Sequence, residues 1–160
     1  MMAFLKSRAA QKGYQRQDEL IPLIEVILIR EGYDCKVSKG TLNEDMKEHI
    51  DAKISCDKTP FKGRFVTPID IKTGKTFTLY SSTGLNTLEN SKSVYLVYEY
   101  KETDQSLMFV SVSKLREVVK KYRPRLFNGK YDNSKYFWIG DYVDDHIEEF
   151  TPNEIFWIKK

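Results

Sequence analysis

At 160 residues, with 41% hydrophobic and 31% charged side chains, the chain has the composition of one soluble globular domain and is too short for two ordinary ones. Its two cysteines, Cys35 and Cys56, form no CxxC and accompany no paired histidines. They lend almost no support to structural zinc, require no disulfide and fit a reducing cytoplasmic compartment. The longest apolar run, Leu20 to Ile29, is broken by Glu25 and falls far short of the roughly 20 residues that span a bilayer, and no signal-peptide pattern opens the chain.

In chain order, Asp18 to Glu31 predicts a helix, with Gly32 placed as its C-terminal cap and Pro22 near its start. The helix is nearly apolar all round and is expected to be buried against a sheet, which makes Glu25 costly unless it finds a partner. Tyr33–Lys39 alternates as a strand. Gly40–Lys47 reads as a polar connection, and His49–Ser55 alternates again, with Ile50, Ala52 and Ile54 opposite His49, Asp51 and Lys53. A strand through "TPIDIKT" follows, its Ile69 and Ile71 on one face and Asp70 and Lys72 on the other, about 7 Å apart. Thr76–Ser82 is a further strand, "TGLNTLENSK" a loop or short helix, and "SVYLVYEYK" and "SLMFVSVS" two strong strands joined by a turn. "SKLREVVKKY" predicts a helix with Ser113 as N-cap and Pro124 beyond its end. The remainder mixes aromatics with acids and gives no clear period. The order predicts a single α/β domain with a mixed central sheet flanked by helices, its core about 18–125 and a C-terminal extension about 126–160.

If the strands bearing Asp51 and Asp70 are neighbours, two carboxylates and a lysine converge. Hard divalent cations such as Mg²⁺ suit carboxylates, a backbone carbonyl, waters and a phosphate, and a nearby lysine can orient an attacking water. A solvated sheet face with an ordinary Asp70–Lys72 pair would give the same pattern. Asp51 in "HIDAKI", followed nineteen positions later by Asp70-Ile71-Lys72, and preceded by a helix that runs into "REGYDCKV", resembles the PD-(D/E)xK nuclease superfamily, which includes restriction endonucleases and archaeal-type Holliday junction resolvases. The residue before Asp51 is Ile50 where the family motif has proline.

The resemblance covers about Asp18 to Val112 and implies a restriction endonuclease-like core of helix, three strands, connection and strand. It implies Asp51, Asp70 and the Ile71 carbonyl as ligands of Mg²⁺ or Mn²⁺, Lys72 as the residue that positions water, and Glu25 or Glu19 as a helix acid. Gly32 favours Glu25, which is six residues nearer to it than Glu19, and the two, about 240° apart around the helix, cannot both face the site. It further implies a DNA-cutting enzyme acting as a homodimer, and the small size suggests a phage or mobile-element accessory enzyme. A catalytically inactive module of the same fold, binding nucleic acid or a protein, is the alternative.

Other signals point to partners. Lys114, Arg116, Lys120, Lys121, Arg123 and Arg125 stand against one acid, Glu117, and interleave with Tyr122, Phe127, Tyr131, Tyr136, Phe137 and Trp138. This is a candidate nucleic-acid surface, or a solvated helix face over aromatic core. From Asp141 to Glu154 the balance reverses, with six acids and no Lys or Arg, which suits a protein contact. "TGKT" at Thr73–Thr76 lacks the first glycine of a P-loop, since Ile69 stands there. His49 is placed at the edge of the acid site and His146 on the surface. No nucleophilic triad is recognisable.

Overall fold

The computed structural model describes residues 8–58, 60, 61, 66–130 and 132–160. Tyr131, which the sequence places on the basic surface, lies outside the described residues. Helix α1 (Arg8–Arg30) precedes β1 (Cys35–Lys39), β2 (Ala52–Cys56), β3 (Thr67–Thr73), β4 (Thr76–Tyr80), α2 (Thr87–Asn90), β5 (Tyr95–Glu99), β6 (Ser106–Ser111), α3 (Val112–Lys121), β7 (Phe127–Asn128), β8 (Lys135–Trp138), α4 (Ile139–Asp145) and β9 (Ile155–Lys159). The molecule is mixed α/β. Its main sheet runs β1-β2-β3-β5-β6-β9, parallel only at β3–β5, and a second sheet runs β4-β8-β7. No described helix is long and apolar enough to cross a membrane.

Alternation along the central strands builds two apolar layers. Tyr95 and Val97 of β5, with Leu107 and Phe109 of β6, pack with Leu20, Ile24, Ile27 and Leu28 of α1. Leu96, Tyr98, Met108 and Val110, one residue out of phase, pack with α3, β4, β8 and α4 through Leu115, Val118, Phe77, Phe137 and Val143. The stretch read as a C-terminal extension therefore supplies about a third of this second core, including Phe137, Ile139, Tyr142, Val143 and Ile155, and β9 completes the main sheet.

Several expectations shift in detail. Helix α1 begins ten residues before Asp18 and carries Pro22 internally. It is not buried all round, because Val26 and Ile29 remain exposed on its outer face. Gly32 adopts φ +92° and closes the helix as expected, with the Tyr33 N–H donating to the Leu28 carbonyl. The N-cap of α3 is Ser111, whose hydroxyl accepts the Lys114 N–H, rather than Ser113. Cys35 and Cys56 are register partners on β1 and β2 and are joined as a disulfide, a closure that free thiols in a reducing compartment would not have.

Candidate acidic site

Strands β2 and β3 pair antiparallel from Ala52 opposite Ile69, and Asp51 directly precedes that paired stretch. The Asp51 N–H donates to the Ile69 carbonyl at 2.9 Å and holds the residue against β3. The Asp51 and Asp70 carboxyls meet there through a hydrogen bond. They are nearly buried, at 8% and 6% exposure. Lys72 remains about one-third exposed, its Nζ 3.9 Å from Asp70 Oδ1. Strand β3 also anchors Asp51, since the Ile71 N–H donates to its Oδ2 at 2.6 Å. Asp51, Asp70 and Lys72 are thus brought together as the strand pattern anticipates.

A third carboxylate joins them from a segment that reads as a plain connection. Residues Glu44–Glu48 form a π-helical turn that carries Asp45, whose carboxyl hydrogen-bonds Asp51. The available signal was Thr41-Leu-Asn-Glu44: the Thr41 hydroxyl accepts the Glu44 N–H at 3.1 Å and the Glu44 carboxylate accepts the Thr41 N–H at 2.9 Å, a capping box. The turn ends at His49, held in the left-handed region at φ 55°. Asp51, with His49 and Ile50, therefore precedes β2 rather than lying within it.

The electrostatics show a local shortage of positive charge. Burial, then the repulsion and hydrogen bond of Asp70, push the Asp51 carboxyl up to about 7. Burial and the contact with Asp51 push Asp45 up to about 7 as well. Asp70 holds the Lys72 ammonium above the usual lysine range despite burial. His49 lies below its ordinary value because it is half-buried and feels the Lys72 charge, which keeps its ring neutral near pH 7. A chain of carboxyls sharing protons, with one lysine beside it, is a set of oxygen donors that a divalent cation would stabilise.

The helix acid departs from expectation. Glu25 accepts the Val37 N–H at 2.8 Å, and Glu19 pairs with Arg16 at 3.3 Å; neither lines the site. Helix α1 instead presents Tyr14, Gln17 and Asp18 to a 370 Å³ cavity bounded by Leu42, Asp45 and Asp51. Asp18 is paired with Lys39 at 2.9 Å. Gln17 Nε2 donates to the Ile71 carbonyl at 2.8 Å, occupying one side of the oxygen expected to face a metal. Among the described residues, no three His, Cys, Asp or Glu side chains form a ready metal cage. Asp51, Asp70 and the free side of the Ile71 carbonyl fit a partial ligand set, as for a Mg²⁺ ion that keeps several waters.

The basic stripe is largely compensated within the chain. Lys114 pairs with Glu117 at 3.7 Å, Lys120 with Glu89 at 2.9 Å and Lys121 with Glu149 at 3.3 Å. Arg116 donates to the carbonyls of Leu88 and Ser91 and approaches Glu89 at 3.9 Å, so it latches α3 to α2. Arg123 and Arg125 remain exposed and unpaired among the described residues. Of the interleaved aromatics, Phe137 is core, Tyr122 stacks on His146 at 4.8 Å, and Phe127 and Trp138 are exposed. Comparison of the chain with family models, curated proteins and solved structures gives no match in any of the three.

Proposed function

We propose that the chain is a metal-dependent nuclease that hydrolyses DNA phosphodiester bonds at the Asp51–Asp70–Lys72 site, on a restriction endonuclease-like core. The cross-strand meeting of Asp51 and Asp70 beside Lys72 carries the reading. The element order α1-β1-β2-β3, then a connection through β4 and α2, then β5 parallel to β3, supports it, since the resemblance implies a helix, three strands, a connection and a strand.

In this reading Asp51, Asp70 and the Ile71 carbonyl hold Mg²⁺ or Mn²⁺. The bound ion supplies Lewis-acid polarisation of the phosphate and lowers the pKa of water. Asp51 is held in place by the Ile71 N–H and Asp70 by its strand, so neither needs to reorganise. Lys72, charged and partly open to solvent, orients the attacking water and offsets charge on the phosphate. Asp45, sharing a proton with Asp51, is placed to hold or release that proton as the site takes up its ligand.

The runner-up is a non-catalytic module of the same fold that binds nucleic acid or protein. Three observations favour it: Gln17 bonded to the Ile71 carbonyl, Glu25 engaged on β1, and four of six candidate DNA-contacting cations paired internally. Cleavage of supercoiled plasmid and of a branched DNA with Mg²⁺, Mn²⁺ or EDTA, for wild type beside Asp70→Ala and Lys72→Ala, separates the two. Metal-dependent cutting lost in both variants supports the nuclease. Folded wild type that cuts neither DNA with either metal supports the module.

A further inference from the structure

A second cavity, of 480 Å³, opens on the layer built by β7, β8 and α4. Phe127 pairs with Tyr136 across β7 and β8, so Trp138 stands two residues further on the same side. The Phe127 and Trp138 rings meet edge to face at 6.2 Å and remain 40% and 48% exposed. Helix α4 starts immediately after Trp138, and Asp141 and Asp145, four apart on one face, form another wall. Neither carboxylate has an ion-pair partner among the described residues. Among the described residues, Arg125 is the single cation in the lining.

An exposed indole beside two unpaired carboxylates repels phosphate and suits a cation on an apolar stem. One ammonium is already placed against the same ring: Lys75 Nζ lies 4.0 Å from the Trp138 ring centroid. The surrounding field has the same sign, since Asp141 to Glu154 holds six acids without Lys or Arg and, among the described residues, only Glu149 of them is neutralised, by Lys121. A guanidinium can stack on a ring and fork to carboxylates at once, which an ammonium cannot do. We propose that this cavity docks an arginine side chain from a basic segment of a partner protein, independently of the Asp51–Asp70 site.

The test uses octa-arginine as probe and Trp138 fluorescence as readout, in a Trp157→Phe background that leaves Trp138 as the reporter. Saturable binding is expected, about tenfold weaker in Asp141→Asn/Asp145→Asn and little changed in Asp144→Asn/Glu148→Gln, whose acids share the field but not the cavity. Melting temperatures of the variants, all at exposed positions, confirm folding. Equal weakening in both double variants would reduce the effect to diffuse attraction and overturn the proposal. So would no response, binding of octa-glutamate in place of octa-arginine, or sedimentation showing a dimer that Trp138→Ala dissolves, which would make a second copy the occupant.

Discussion

Asp51 is the residue on which the electrostatics turn. Its carboxyl rises from 3.8 in an unfolded chain to about 7 in the fold, so the folded state binds the proton more tightly. A group raised in this way contributes stability below pH 3.8 that is lost as pH rises through 7. We expect the cation-free protein to become less stable to urea from pH 4 to pH 8 and Asp51→Asn to flatten that decline. Affinity for a divalent cation should move the opposite way, strengthening through pH 7 as Asp51 and Asp45 release their protons. The alternation around Asp51, Asp70 and Lys72 made these three residues legible from the sequence, because side chains on neighbouring strands converge whenever the register allows. Glu25 misled because a buried-looking acid needs only one donor, and the Val37 N–H on β1 satisfies it locally.

Among the elements, the Gly40–Ile50 connection decides whether the site assembles. A Cβ built on Gly40 would lie 2.5 Å from the Ile50 carbonyl oxygen, a backbone atom that cannot swing aside. The Gly40 N–H also donates to the Asp51 carbonyl at 2.8 Å, so displacement there moves the acid itself. Gly40→Ala is expected to destabilise by about 1–3 kcal/mol, read from denaturant midpoints, and to weaken cation binding as well. An unchanged midpoint would show that the connection tolerates the shift. This segment was illegible for a physical reason: the five-residue π-helical turn has Met46 as its single apolar side chain and so no apolar stripe, periodicity is silent and only the Thr41–Glu44 capping box marks the turn. The polar first turns of α1 were missed likewise, whereas β5 and β6 were read as strands because their β-branched and aromatic runs, buried on both faces, carry a strong strand propensity.

For the molecule as a whole, the basic stripe and the acid site give separable predictions. Six free cations on DNA would give a slope of log affinity against log salt of about −5, whereas Arg123 and Arg125 alone would give about −2. We expect the shallower slope, with Glu89→Gln steepening it by releasing Lys120, while Arg116 stays bonded to the Leu88 and Ser91 carbonyls. A slope near −5 for the wild type would mean that DNA breaks the internal pairs. That pairing was invisible in the sequence, because Glu89 and Glu149 lie far from α3 along the chain and meet it only once the second core has formed. The divalent-cation site itself is tested without knowing the substrate, by calorimetric titration of Mn²⁺ at pH 8 into wild type, Asp51→Asn and Glu25→Gln. The site proposed here predicts one Mn²⁺ bound by wild type and by Glu25→Gln, and none by Asp51→Asn. No binding by folded wild type, or binding that survives Asp51→Asn, would contradict it.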